Sequence, residues 1–97
     1  MPLLTIRFAD PELDRAAIAT AVDLALARKP AAIFDVIAPI PANAPRETQD
    51  EAVRQGRADT ERVANALAAA GAPRPQIQLG LRADRGDPPR EVRVYVR

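Results

Sequence analysis

Three carboxylates near the start of the chain are the first residues whose types and spacing could do chemistry. Asp10, Glu12 and Asp14 lie within five residues of one another, and paired carboxylates perform acid–base catalysis when an apolar pocket shifts the pKa of one of them. Here they fall at the predicted start of a helix, where capping and the helix dipole favour acidic residues. Nothing in the sequence places two of them in an apolar pocket, so we expect a structural role.

Most other catalytic and metal-binding chemistry is excluded by composition. The chain has no Cys and no His, which removes thiol chemistry, disulfides, Cys or His metal sites and histidine acid–base catalysis. Its four glycines are dispersed, and no phosphate-binding glycine loop or nucleophile elbow occurs. We predict a protein that is not an enzyme and that uses no metal and no cofactor.

Length and charge predict one ordinary globular domain. The 97 residues are 47% hydrophobic and 28% charged, with a net charge of +1, so no bulk attraction to nucleic acid or to an anionic membrane follows. No apolar run approaches the roughly 18 residues that span a bilayer, and the start has no signal-peptide pattern. Strand-like sequence begins at Leu3, so we expect residues 1–97 to be a single domain excised from a longer chain.

The first half of the chain predicts a strand, a helix and a central strand. Alternation of Leu4, Ile6 and Phe8 indicates a strand with one buried face. A helix should follow from the cap Asp10, with Pro11 at its first position, to about Arg28. Its predicted buried residues are Leu13, Ala17, Ile18, Ala21, Leu24 and Ala25. The apolar run 32–38, interrupted by Asp35, indicates a strand covered on both faces, and the prolines of 39–45 predict an extended loop.

A second, long helix should begin between Arg46 and Asp50 and end at Gly71, followed by Pro73 and Pro75. Its apolar stripe consists of Val53, Gly56, Thr60, Val63, Leu67 and Ala70. Its outward side is predicted to carry Arg54, Arg57, Asp59, Glu61 and Arg62, with the pairs Asp50–Arg54 and Arg57–Glu61 at i,i+4 spacing. Gly56 costs about 1 kcal/mol in a helix interior relative to Ala, which a close helix–sheet approach or a kink would explain.

The last third predicts two strands, 76–82 and 91–97, joined as an antiparallel hairpin by the polar loop 83–90. Ile77, Leu79 and Leu81, and then the valines of the last strand, should face inward. The element order is therefore βαβαββ. It predicts an α+β two-layer sandwich, a four-stranded mixed sheet with two helices packed on one face.

The opposite face of such a sheet should be open and rich in arginine. Its predicted residues are Thr5, Arg7, Asp35, Gln76, Gln78, Arg82, Arg93, Tyr95 and Arg97. Sheet platforms that bind single-stranded RNA stack bases on two or three aromatic side chains, and here only Tyr95 is available. A solvated face, or one covered by another protein surface, is the simpler interpretation, and nucleic acid is an unlikely partner.

One family resemblance is carried by the long helix and the strand after it. The segment 59–79, DTERVANALAAAGAPRPQIQL, resembles the second half of the OmpA-like peptidoglycan-binding domain, whose helix has the form R-A-x-x-V-x-x-x-L-x-x-x-G before a turn and a strand. Val63, Leu67 and Gly71 match that spacing without a gap, and EVRVYVR at 91–97 is similar to the family's closing strand. The starts IRF and FDVIA, at 6–8 and 34–38, are similar to those of degenerate OmpA-like domains of proteobacterial envelope proteins. The resemblance implies the same βαβαββ fold and a place in the periplasm or at the outer membrane.

The ligand residues of that family are missing at the matching positions. The family binds the diaminopimelate of peptidoglycan with an Asp in a G-H-T-D loop and with the Arg of its helix motif, whereas this chain has PIPANAP at 39–45 and Asp59 at the position of that Arg. A carboxylate at that position would repel a ligand carboxylate. The resemblance therefore implies a structural or protein-interaction module, bound to a protein partner or to its own parent chain.

Two alternatives stay open. Peptidoglycan binding could persist through Arg57, Asp59, Arg85 or Arg90 as ligand-binding residues. A ferredoxin-like cytoplasmic module could instead bind protein or RNA through the open arginine-bearing face.

Overall fold

The computed structural model describes residues 4–7 and 14–97. Its strands are β1 (Leu4–Arg7), β2 (Phe34–Pro41), β3 (Ile77–Asp84) and β4 (Glu91–Val96), and its helices are α1 (Arg15–Arg28) and α2 (Arg46–Ala69). A short 3-10 turn, Arg74–Gln76, precedes β3. This is the predicted α+β layout of two helices and a four-stranded mixed sheet.

The order of strands in the sheet is β1-β4-β2-β3. β4 pairs antiparallel with β1 and with β2, and β3 pairs in parallel with β2 alone. The predicted β3–β4 hairpin is therefore wrong. β4 instead lies between the two parallel strands that flank α1 in sequence, because its valines fill the middle of the core: Val92 and Val94 are fully buried.

β2 is longer than predicted and includes two prolines assigned to the following loop. β4 pairs with β2 only from Phe34 to Ile37, whereas β3 pairs with it as far as Pro41. Pro39 and Pro41 are two residues apart, so the N–H groups that they lack would both lie on the same side of the strand. Beyond Ile37 the β4 side of β2 has no described partner strand. Two prolines are tolerated in a central strand because they lie where one neighbour has ended.

The core lies between the helices and one face of the sheet. α1 contributes Ile18 and Val22, and α2 contributes Val63 and Leu67. They meet a layer of sheet residues that are fully or almost fully buried, namely Phe34, Val36, Val92 and Val94. Val22 was missing from the predicted stripe of α1, and Leu24, which was included, is 58% exposed.

The helix ends follow local chemistry. Asp14 caps α1, accepting a hydrogen bond from the backbone N–H of Ala17 at 3.0 Å. The predicted cap Asp10, with Pro11, Glu12 and Leu13, lies outside the described residues. α2 ends as predicted before Gly71, whose φ of 113° is a conformation that glycine adopts without strain.

Gly56 is explained by a close approach of α2 to the sheet rather than by a kink. α2 is continuous through it, and a Cβ built at this position would lie 2.9 Å from Cδ2 of Leu81 and 3.4 Å from Cβ of Ala38. The absence of a side chain at Gly56 lowers helix propensity but allows α2 to contact strands β2 and β3 closely. This contact fixes the surface around which the candidate site is built.

Candidate functional site

The most unusual side chain of the molecule is Asp59, a carboxylate with 5% exposure on the buried side of α2. Arg90, the last residue of the β3–β4 loop, donates two hydrogen bonds to it: Nε to Oδ2 at 3.0 Å and Nη2 to Oδ1 at 2.9 Å. This is the bidentate fork geometry in which guanidinium binds carboxylate most strongly. The hydrogen bonds and the charge of Asp59 raise the pKa of Arg90 above its usual value.

The prediction that Asp59 turns away from the apolar stripe is wrong. Asp59 follows Gly56 by three residues and precedes Val63 by four, the spacings that place side chains on one helix face. Asp59 therefore borders the stripe, and its position between two stripe residues was a usable signal. The residue that neutralises it lies 31 positions away, which no local pattern reveals.

A cleft opens beside this ion pair, with a volume of about 490 Å³. One wall is the first half of α2, the second is the proline-containing end of β2, and the third is the loop before β4. Its charged lining residues are the carboxylates Glu47, Glu51, Asp59, Asp87 and Glu91 and the guanidinium of Arg90. Asp59 is paired with Arg90, Glu51 with Arg54 and Glu91 with Arg93, so the carboxylates of Glu47 and Asp87 are what make the cleft unfavourable for an anionic ligand.

The structure brings together only two of the four predicted ligand residues. Asp59 and Arg90 form the ion pair, while Arg57 lies on another side of α2, in a groove that faces β3. Arg85 is exposed on the β3–β4 loop and does not line the cleft. A constellation of Arg57, Arg85 and Arg90 around one ligand is therefore not formed.

The open sheet face is arginine-rich as predicted, but two of its arginines are held by carboxylates. Arg97 donates through Nε to Oδ2 of Asp35 at 2.7 Å and through Nη2 to Oε1 of Gln78 at 2.9 Å. Asp35 shares this face by its register opposite Tyr95 and Gln78. The hydrogen bond to Asp35 raises the pKa of Arg97.

Arg93 forms the second cluster on this face. Its Nε donates to Oε2 of Glu91 at 2.9 Å and its Nη1 to Oδ2 of Asp84 at 3.2 Å. The hydrogen bond to Glu91 is the main cause that raises the pKa of Arg93. Sequence reasoning directed Glu91 outward with Arg93, two residues away in the same strand, but did not pair the two, and it assigned Asp84 to the loop.

Tyr95, the aromatic residue that the described part of the chain places on the open face, is also in contact with another side chain. The guanidinium carbon of Arg82 lies 5.6 Å from the centre of the Tyr95 ring, a cation–π arrangement. Arg7 is exposed on β1. Gln76, predicted on this face, belongs instead to the 3-10 turn, where its Nε2 donates to the carbonyl oxygens of Pro30 and Ala32.

Two further findings delimit the chemistry of residues 4–7 and 14–97. No group of three or more acidic side chains in this part of the chain could hold a metal ion. None of the helices described there is long and apolar enough to cross a membrane.

Comparison with known proteins identifies no relative. No protein-family model matches the chain, and no curated protein matches it either.

Proposed function

We propose that the chain is a non-enzymatic, OmpA-like module of the cell envelope whose ligand cleft has become a structural contact and which acts through protein contacts. The observation that carries the proposal is the Asp59–Arg90 pair. At the helix position where the resembling family places a ligand-binding arginine, this chain has a buried carboxylate, and both of its oxygens accept hydrogen bonds from Arg90.

The electrostatics of the cleft support the same proposal. A diaminopimelate carboxylate entering it would meet the carboxylates of Glu47 and Asp87 and a guanidinium already paired with Asp59. If Arg90 bound the ligand instead of Asp59, the carboxylate of Asp59, a residue with 5% exposure, would be left unpaired, which is strongly unfavourable. The pair therefore competes with the ligand for Arg90.

Cosedimentation with purified peptidoglycan sacculi tests this loss of binding. We expect the chain to remain in the supernatant at concentrations where a peptidoglycan-binding OmpA-like domain, as the positive control, pellets. Saturable pelleting that free diaminopimelate abolishes would overturn the proposal. The envelope location has a separate test: in cells that make the full-length parent protein, protease added to spheroplasts should degrade this domain, and protection from the protease would contradict it.

Residual peptidoglycan binding is a second candidate because Arg90 reaches the cleft with half of its side chain exposed. If Arg90 or the nearby Arg85 held the ligand, Arg90→Ala and Arg85→Ala would each reduce cosedimentation. Arg54→Ala, on the exposed side of α2, serves as the matched control for a general loss of positive charge. Equal cosedimentation of all three variants would remove this candidate.

Binding of RNA through the open face has less support. Arg93 and Arg97 are held by carboxylates, and the ring of Tyr95 faces Arg82, so phosphates and bases would have to displace contacts within the protein. A titration with single-stranded RNA at low salt tests this. Salt-sensitive binding that Tyr95→Ala and Arg97→Ala weaken would favour the RNA candidate over the envelope module.

A further inference from the structure

The edge of the sheet formed by β3 has the features of an interface. β3 is eight residues long and pairs only with β2, so alternate N–H and C=O groups along its other side have no partner strand among residues 4–7 and 14–97. Natural proteins protect such edges with charges, prolines, bulges or very short strands. β3 contains no proline, and its helix-side residues are Ile77, Leu79, Leu81 and Ala83.

Leu79 is the exposed apolar residue at this edge. It is 47% exposed, although it shares the helix side of the sheet with Ile77 and Leu81, which pack against the core. It lies in a groove of about 460 Å³ between α2 and β3, lined by Arg57, Thr60, Glu61, Leu79, Gly80 and Leu81. An occupant of this groove would bury Leu79 and pair with the edge of β3.

We infer that the occupant is a second copy of this chain, with β3 of each copy paired antiparallel about a two-fold axis at Gly80. In that register Leu79 lies opposite Leu81 of the second copy, and Ile77 lies opposite Ala83. Every helix-side pair is therefore apolar. On the other side, Gln78 lies opposite Arg82, a polar pair without repulsion between like charges.

The charges of α2 are self-complementary about the same axis. Arg57 and Glu61 line the groove at the level of Gly80, and no ion pair joins them to each other or to another described residue. A two-fold axis reverses the direction of α2, so Arg57 of each copy approaches Glu61 of the other. The i,i+4 pair predicted within one helix is thereby formed twice between two helices.

The spacing of the layers allows this contact. α2 packs mainly on β2 and β3, and strands in a sheet are about 4.8 Å apart. Pairing of two β3 edges places the two copies of β2 about 14 Å apart, so the two α2 helices lie about 10–14 Å apart, a distance that the long side chains of Arg57 and Glu61 can bridge. The two sheets become one eight-stranded sheet, and the second helix covers Leu79.

Sedimentation equilibrium of the purified chain tests the dimer. We expect a monomer–dimer equilibrium between about 1 µM and about 1 mM. Leu79→Lys should weaken dimerisation roughly 30-fold, since each dimer loses two buried leucines and gains two edge charges. Leu24→Lys, which changes an exposed leucine of α1, is the matched control and should leave it unchanged.

A charge reversal tests the two-fold arrangement without touching the core. Glu61→Arg should weaken the dimer roughly 10-fold at low salt because it sets like charges against each other twice. The swapped variant Arg57→Glu/Glu61→Arg should recover the original affinity to within about 3-fold. Circular dichroism checks that each variant folds, and if Leu79→Lys does not fold, these two variants decide the question.

The absence of cysteine allows a direct test of register. The double variant Gln78→Cys/Arg82→Cys should give a disulfide-linked dimer under mild oxidation, since these positions face each other only between copies. Gln78→Cys/Ala83→Cys places the thiols on opposite sides of the sheet and should not crosslink. A chain that stays monomeric to about 1 mM, or a dimer indifferent to Leu79→Lys, Glu61→Arg and the choice of cysteines, would overturn the inference. These outcomes do not depend on peptidoglycan binding, so this proposal and the proposed function can fail separately.

Discussion

The two faces of the sheet carry the same ion pair in different surroundings. On the helix side, Asp59 of α2 accepts two hydrogen bonds from Arg90, and its side chain is 8% exposed. On the open side, Asp35 of β2, whose side chain is 23% exposed, accepts from Arg97, whose side chain is 63% exposed. The two arginines flank β4, since Arg90 immediately precedes the strand and Arg97 immediately follows it.

From this comparison we expect burial of the carboxylate, rather than hydrogen-bond geometry, to determine how much each pair contributes to stability. Water can solvate Asp35 and Arg97 if they separate, so their contact contributes little to stability. Asp59 has no such alternative and depends on Arg90 for neutralisation. The first pair holds the loop before β4 against α2, whereas the second only arranges an already exposed surface.

The largest loss of stability is expected from a substitution at Gly56, where α2 approaches the sheet closely. Gly56→Val should reduce the free energy of unfolding by about 2 kcal/mol, because the added side chain meets Leu81 and Ala38 in a packed layer. Urea denaturation measures the change. The double variant Gly56→Val/Leu81→Ala should lose less than the sum of its two single variants, and strict additivity would show that the contact is not the cause.

Removing Arg90 is the direct test of the buried pair. Arg90→Ala should reduce the free energy of unfolding by about 1–2 kcal/mol, below the full cost of an unpaired buried charge because Arg90 is half-exposed. Urea denaturation again measures it. Asp59→Asn in the Arg90→Ala background should recover part of the loss, since it removes the stranded charge. An unchanged denaturation midpoint for Arg90→Ala would contradict the structural role of the pair.

Removing Arg97 is the matched experiment on the open face. Arg97→Ala should leave the urea midpoint within experimental scatter of the original chain, because both partners are accessible to water. Adding salt should not change that result. A loss of stability comparable to that of Arg90→Ala would show that the two pairs are equivalent and would contradict the larger contribution expected from the buried pair.

The smallest effect is expected from pH. Hydrogen bonds to Asp59 and Asp35 raise the pKa values of Arg90 and Arg97. A group with a raised folded-state pKa stabilises the fold fully below its unfolded pKa and loses that contribution only as pH rises through the folded value. With no His in the chain, the free energy of unfolding should vary by less than about 0.5 kcal/mol between about pH 6 and pH 9. Thermal melts across that range check this, and a steep slope would contradict it.

The sequence predicted most of the elements because their signals are local. Period-two alternation identified three of the strands, and a near-continuous apolar run identified β2. The spacing of Gly56, Thr60, Val63 and Leu67 identified the buried side of α2, and all four are buried. Gly71 ended the helix by a backbone conformation that depends on its own residue type. The open, arginine-bearing face followed from the same alternation once two helices were assigned to one side.

Tertiary structure decided what depends on contacts distant in sequence. Alternation in β4 is the same whether it pairs with β3 or enters between β1 and β2, so the hairpin was mispredicted; the strand order follows from where Val92 and Val94 fit the core. Leu79 carries the inward pattern of its strand but remains half-exposed because β3 lies at the edge. The local spacing of Asp59 places it beside the apolar stripe, but its neutralising partner comes from the return of the chain at Arg90, 31 residues away. Local periodicity thus determined the direction of most side chains in the helices and strands, while the neighbour that meets each of them was decided by folding of the whole chain.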